Sequence, residues 1–210
     1  MQGLYIITDQ TGLRAANFLQ RVEDALLGGA RFVQYRDKNG DDDTRRLQAM
    51  ALVRLCSGYD VPVIINDYIQ LAHETGAAGV HLGRDDTDVA AARALLGQSA
   101  IIGVSCYNEL ERALTAQAAG ADYVAFGSFY PSATKPHAVR AHLDLLRLAK
   151  KKLHIPIAAI GGITPENGAA LIVAGADILA VVDAVFGQTD PMRAAQGFVK
   201  LFASESRLPR

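Results

Sequence analysis

The chain has 210 residues, 50% of them hydrophobic and 20% charged, with a formal net charge of −1. These totals suit one globular domain with a sizeable core, and the near-neutral balance gives no reason to expect nucleic acid or a membrane as a partner. No apolar run is long enough to span a bilayer, the opening MQGLYIITDQ lacks the basic and apolar stretches of a signal peptide, and Cys56 and Cys106, without CxxC spacing, suit neither a disulfide framework nor a zinc site. A cytoplasmic protein is expected.

Short apolar runs alternate with longer helical patterns along the chain. In order they are LYII (4–7), FVQY (32–35), PVIIN (62–66), GVHL (79–82), AIIGVS (100–105), DYVAF (122–126), PIAAI (156–160) and DILAVV (177–182). They are continuous rather than alternating, as expected of parallel strands covered on both faces. Between them, Leu110, Ala113, Leu114 and Ala118 fall on one helical face. Thr164-Pro165-Glu166 reads as an N-cap, a proline at the first helical position and an acid in the first turn. GGARFV, GAAGVHL, GADYVAF and GADILAVV each place a glycine at a helix end just before a strand. The pattern predicts an α/β fold, a (β/α)8 TIM barrel in a single domain over residues 1–210, with its active site at the C-terminal ends of the strands. The alternative, an open doubly wound sheet, more often carries a Gly-rich phosphate turn after its first strand, and YIITDQTG is not one.

Polar residues follow the strands. Asp9 follows the first, Gln34, Arg36 and Lys38 the second, Asn66 and Asp67 the third, and Arg84, Asp85 and Asp86 the fourth. Ser105 ends the fifth; Ser128, Ser132, Thr134 and Lys135 follow the sixth, GGIT the seventh and Asp183 the eighth. A barrel would gather them around one mouth. Arg36, Lys38 and Lys135 suit an anion with several oxygens. Asp67 and Asp86, beside those cations, suggest Mg2+ shared with a diphosphate. The Gly161-Gly162-Ile163-Thr164 turn offers bare backbone N–H groups at a helix start, a second anion site.

Plainer roles also fit. Gln34, Arg36 and Lys38 suit a solvated strand end. Asp67 and Asp86 each suit a helix N-cap, although together they suit a metal better. Gly161 and Gly162 suit a tight turn. His81, inside an apolar strand, reads as a hydrogen-bonded core histidine before a catalytic base. Cys106 reads as a packing residue, His137 and Arg140 as surface charge. No Ser–His or Cys–His nucleophile pair is evident around the mouth.

QYRDK, IINDY, GVHLGRDD, GVSCY, DYVAFGSFYPSATKP, AIGGIT and VVDAVF, in this order from LYIITD to about Phe186, resemble the motif series of the thiamine-phosphate synthase (thiamine-phosphate pyrophosphorylase) family. The resemblance implies a transferase that joins 4-amino-5-hydroxymethyl-2-methylpyrimidine diphosphate to 4-methyl-5-(2-phosphoethyl)thiazole, or its carboxylate, by Mg2+-assisted departure of diphosphate. It implies that Gln34, Arg36, Lys38, Asn66, Ser105 and Lys135 hold the pyrimidine diphosphate, with Arg36, Lys38, Ser105 and Lys135 catalytic. It implies that Asp67 and Asp86 bind Mg2+, and that Ser132, Ala133, Thr134, Gly162, Val182 and Asp183 hold the thiazole phosphate. The partners implied are small molecules, and since such barrels often associate through outer helices, a homo-oligomer is one expectation. Departures from the family pattern are serine at 132 where threonine is common, Asp183 where serine is common and Tyr107 where histidine is common. A thiazole tautomerase-like paralogue and a non-catalytic thiamine-precursor sensor are the alternatives; the intact diphosphate and metal motifs argue against the tautomerase.

Overall fold

The apolar runs become strands because each is rich in β-branched, aromatic or small residues and too short for a stable helix, and most of their residues are buried. They are β1 (Gly3–Ile7), β2 (Phe32–Tyr35), β3 (Val63–Asn66), β4 (Gly79–Leu82), β5 (Ile101–Tyr107), β6 (Tyr123–Phe126), β7 (Ile157–Ile160) and β8 (Ile178–Val181). The computed structural model of the chain describes residues 1–84, 88–131 and 139–205. All strand pairs are parallel and follow chain order, and β8 pairs with β1, so the sheet is a closed eight-stranded barrel. The (β/α)8 fold expected from the sequence is the fold found.

Helices lie outside: α1 (Gln10–Leu13), α2 (Phe18–Leu27), α3 (Asp42–Ser57), α4 (Ile69–Thr75), α5 (Val89–Leu96), α6 (Leu110–Ala118), α7 (Leu143–Lys152), α8 (Pro165–Val173), α9 (Asp183–Phe186) and α10 (Pro191–Glu205). The two-residue period of the strands divides the core. Tyr5, Ile7, Phe32, Ile64, Tyr123, Ala125, Ala158, Ile178 and Ala180 fill the barrel interior. Their neighbours, such as Leu4, Ile6, Val33, Ile65, Val80 and Ile102, pack outward against the helices. Gly103 makes room inside, since a Cβ there would lie 2.0 Å from Cζ of Tyr123.

The glycines before strands end their helices as predicted: Gly29, Gly76, Gly120 and Gly175 all take positive φ. In the two GAD motifs the aspartate adds a tie at the N-terminal end of the barrel. Asp122 donates its N–H to Ile102 O (2.7 Å), while its Oδ2 accepts from Ile102 N (2.7 Å) and from Arg93 of α5 (2.7 Å). Asp177 repeats this on β7: its N–H donates to Ile157 O (2.8 Å), Oδ2 accepts from Ile157 N (2.9 Å), and Oδ1 accepts from Lys150 of α7 (2.6 Å). Each carboxylate thus satisfies an N–H at the start of the preceding strand, the second of β5 and the first of β7, and fixes a helix to it. At the seam, α10 packs against α2, α8 and β1 and buries Phe198 completely.

Candidate active site

The end of β2 is held by a buried acid. Asp37, 6% exposed, accepts from the N–H groups of Asn39 (3.0 Å) and Gly40 (2.8 Å), and its carbonyl accepts from Arg45 Nε (3.2 Å). A side chain at 40 would meet this carboxylate, since a Cβ there would lie 2.0 Å from Asp37 Oδ2. Asp41 then caps α3 through Thr44 N (2.8 Å), and that bond holds its carboxyl below the usual range. Across the gap to β1, Thr8 N donates to Gln34 O (2.9 Å) and Thr8 Oγ1 accepts from Arg36 N (2.9 Å). These bonds fix the backbone that presents Arg36 and Lys38. Gln34 lies on the barrel's inward face, buried, and donates Nε2–H to Tyr5 OH (2.8 Å). Arg36 and Lys38 lie beyond the strand, which ends at Tyr35.

Asn66 is the buried last residue of β3 and pairs in register with His81 of β4. Asp67 follows in left-handed backbone (φ 67°), with its N–H donated to His81 O (2.9 Å). Its carboxylate forms an ion pair with the Lys38 ammonium. The N-cap of α4 is Tyr68, without a side-chain bond, so the capping role suggested for Asp67 is not the one it plays. Asp85, Asp86 and Thr87 lie outside the described residues. The residue that caps α5 is Asp88, which accepts from Ala91 N (2.7 Å). Asp67 fits a hard divalent cation: it supplies carboxylate oxygens, its side chain is only 13% exposed, and it already faces a positive group.

Ser105 lies on β5, half-buried, with Oγ 2.8 Å from Nε2 of His81. The absence of a Ser–His pair expected from the sequence is therefore corrected. The partners lie 24 residues apart; His81 pairs in register with Gly103, which puts Ser105, two residues on, diagonally next to it on the same face. His81 is hydrogen-bonded on both ring nitrogens, its Nδ1 lying 2.8 Å from Tyr123 OH. Cys106, the next residue, is buried on the opposite face with its thiol pushed up to about 12 by burial, so it is a packing residue as expected. The strand runs on past Ser105, with a register shift between Ser105 and Tyr107. Arg112 of α6 ties this end to β4, donating to Ser105 O (2.8 Å) and to Gly83 O (2.9 Å). The guanidinium of Arg84 lies 4.8 Å from the centroid of the Tyr107 ring and pairs with Glu109.

The predicted residues Ser132, Ala133, Thr134 and Lys135, with His137, lie outside the described residues. The segment's described flanks are joined: Ser128 N donates to Val139 O (2.9 Å) and Ala141 N to Ser128 O (3.0 Å). Tyr130 N donates to Gly161 O (2.9 Å), which seats this flank on the turn after β7. In that turn Gly161 (φ 103°) and Gly162 (φ 62°) leave α-helical space, and Cβ atoms there would meet Ser128 and Pro131. The N–H groups of Gly162 and Ile163 meet no acceptor among the described residues. Asn167 braces the turn, accepting from Thr164 N (2.9 Å) and donating to Gly162 O (3.1 Å). Val182 precedes α9, and Asp183 is exposed in its first turn.

Every described site candidate therefore lies at or just beyond the C-terminal end of a strand. Thr8, Asp37 and Arg112 are further polar groups there that sequence reading did not single out, and the Tyr5–Tyr123 pair lies in the interior beneath them. The QYRDK motif carried a signal for Asp37, a buried acid before Asn-Gly. No pattern in the sequence pointed to Tyr5 and Tyr123, which read as ordinary strand residues.

The family described as thiamine monophosphate synthase matches residues 4–185. The chain belongs to the thiamine-phosphate synthase family. Members of the thiamine-phosphate synthase family similar to it include those of Methylococcus capsulatus (52% identical over 210 residues, 100% of this chain and 93% of that one) and Thiobacillus denitrificans (52% over 203 residues, 97% and 96%). Among solved structures, thiamine phosphate pyrophosphorylase from Pyrococcus furiosus superposes with a TM-score of 0.87 at 33% identity, covering 97% of this chain and 96% of that one. As a thiamine-phosphate synthase family member, the chain is an enzyme, a transferase of thiamine biosynthesis. The matched range takes in all eight strands apart from Gly3, the first residue of β1, and every candidate site residue, including Asp86 and Ser132 to Lys135.

Proposed function

We propose that this enzyme condenses 4-amino-5-hydroxymethyl-2-methylpyrimidine diphosphate with 4-methyl-5-(2-phosphoethyl)thiazole, or its carboxylate, and releases thiamine phosphate and diphosphate. The observation that supports this most is the gathering of Gln34, Arg36, Lys38, Asn66, Asp67 and Ser105 at the ends of β2 to β5. In this reading Gln34, Asn66 and Ser105 hold the pyrimidine ring and the near end of the diphosphate, while Arg36, Lys38 and Lys135 face its oxygens. Those three cations stabilise the charge that grows as the C–O bond to diphosphate breaks. Asp67 and Asp86 would hold Mg2+, which when bound supplies further neutralisation of the diphosphate. The pyrimidine-methyl cation left behind is stabilised by the ring's own amino group. The thiazole nitrogen attacks with its lone pair, so no general base is needed. Ser132, Ala133, Thr134 and the N–H groups around Gly162, Val182 and Asp183 hold the thiazole phosphate, and the two sites keep the rings in line. Asp183, in the first turn of α9, can lend its backbone N–H to the phosphate.

The test mixes purified protein with both substrates and Mg2+ and follows thiamine phosphate as thiochrome. A signal that needs both substrates and disappears with EDTA is expected. Folded protein that binds the thiazole compound but not the pyrimidine diphosphate would overturn the reading and favour the tautomerase.

A further inference from the structure

A continuous hydrogen-bonded chain crosses the barrel interior beneath the site. Gln34 Nε2 donates to Tyr5 OH (2.8 Å), Tyr5 OH lies 3.0 Å from Tyr123 OH, Tyr123 OH lies 2.8 Å from His81 Nδ1, and His81 Nε2 lies 2.8 Å from Ser105 Oγ. It links β2, β1, β6, β4 and β5, and all its members except half-buried Ser105 are buried. The rings are packed as well: Tyr5 and Tyr123 meet edge-on with centroids 6.0 Å apart, and His81 stacks on Tyr123 at 5.5 Å. Burial pushes the pKa of both phenols up, so both keep their hydrogens near neutral pH.

Each member can donate only where its neighbour accepts. With Gln34 donating to Tyr5, the Tyr5 hydrogen has one remaining partner, the Tyr123 oxygen. The Tyr123 hydrogen must then go to His81 Nδ1. A neutral histidine that accepts at Nδ1 carries its proton at Nε2, and Nε2–H donates to Ser105 Oγ. Reversing one link alone would leave a buried hydroxyl without an acceptor, so the links reverse together or not at all. With the Gln34 amide N–H on Tyr5, the chain therefore offers opposite polarity at its two ends. Gln34 Oε1, with no partner among the described residues, is left as an acceptor, and the Ser105 hydroxyl hydrogen is left as a donor.

We infer that His81 is a positioning residue whose Nε2–H tautomer, locked by Tyr5 and Tyr123, sets the orientation of the pyrimidine ring. This rests on the proposed pyrimidine substrate. A 4-aminopyrimidine carries an amino N–H donor for Gln34 and ring-nitrogen acceptors for Ser105, matching the polarity of both ends. The same lock removes His81 as a base toward Ser105, because Nε2 already holds a proton. Ser105 is thereby a hydrogen-bond donor to the ring and not an activated nucleophile, despite its histidine neighbour.

Two measurements test this. His81 is made the one histidine by replacing His73, His137, His142 and His154 with Gln; of these, His73, His142 and His154 are exposed. Two-bond 15N–1H correlation then reads its tautomer in the substrate-free protein, and Nε2–H is expected. Tyr123→Phe keeps the ring but removes the link, so His81 should sample both tautomers. KM for the pyrimidine diphosphate should then rise roughly tenfold, as for one lost buried hydrogen bond. KM for the thiazole phosphate should stay unchanged. An Nδ1–H tautomer in the intact chain, or a Tyr123→Phe enzyme with unmoved tautomer and KM, overturns the inference. A locked Nε2–H in a protein with no turnover overturns the pyrimidine as the ring that is oriented, and the function proposed above with it.

Discussion

Asp67 carries two demands at one residue, a left-handed backbone at φ 67° and a carboxylate paired with Lys38. Aspartate and asparagine both tolerate that backbone, whereas most residues do not. Asp67→Asn therefore separates charge from shape. Its ion pair joins a half-exposed lysine, which limits what it adds to stability to about 1 kcal/mol or less. The thermal midpoint should move by at most about 4 °C, while turnover falls roughly a hundred- to thousandfold if the carboxylate serves as proposed. Lys135→Ala should lose activity on the same scale. Midpoint and turnover measured on the same purified variants decide between a structural and a functional role, and a variant with wild-type turnover would remove its residue from the site. The cysteines give a contrasting residue-scale case. Burial pushes both Cys56 and Cys106 up to about 12, and both are fully buried. Neither thiol should react with a disulfide reagent at pH 8 faster than the protein unfolds, and a fast-reacting thiol in native protein would contradict their packing role.

The elements were largely legible, because most strands are continuous apolar runs with Gly, Pro or Asp at a boundary, and observed boundaries fall within two residues of those read from sequence. Where the reading stopped short at Ser105, β5 runs on through Cys106 to Tyr107 across a register shift, which apolar patterning does not reveal. The GAD repeats were visible only as helix ends. Their aspartates act at longer range, which no local pattern reveals, since Asp122 and Asp177 each serve a strand 20 residues back. At this scale Asp177→Ala removes an acceptor for Ile157 N and a partner for Lys150, at the barrel end opposite the site. A loss of about 1–3 kcal/mol is expected for the unsatisfied group. That corresponds to a fall in midpoint of about 2–12 °C, with both KM values unchanged. A changed KM without a stability loss would show that the two ends of the barrel communicate.

At the scale of the whole molecule, the described site residues sit at one end and the aspartate ties at the other, joined by a largely apolar interior that one polar chain crosses. The strand ends told which polar residues gather at the mouth, since parallel strands aim their C-termini one way. They did not reveal that His81 and Ser105 touch, because that contact depends on which strands are neighbours and on their register. Closure of the ring depends in turn on a segment with no part in the site. β8 must meet β1, and α10 covers that seam with a fully buried Phe198. A closed barrel has no free edge, so opening one seam exposes backbone on two strands together and unfolding should be cooperative. Phe198→Ala leaves a cavity at the seam and should cost about 3–5 kcal/mol of stability. A single thermal transition at lower temperature is expected, with near-native turnover below it. If calorimetry instead shows two transitions, α10 unfolds as a separate unit and the barrel closes without it.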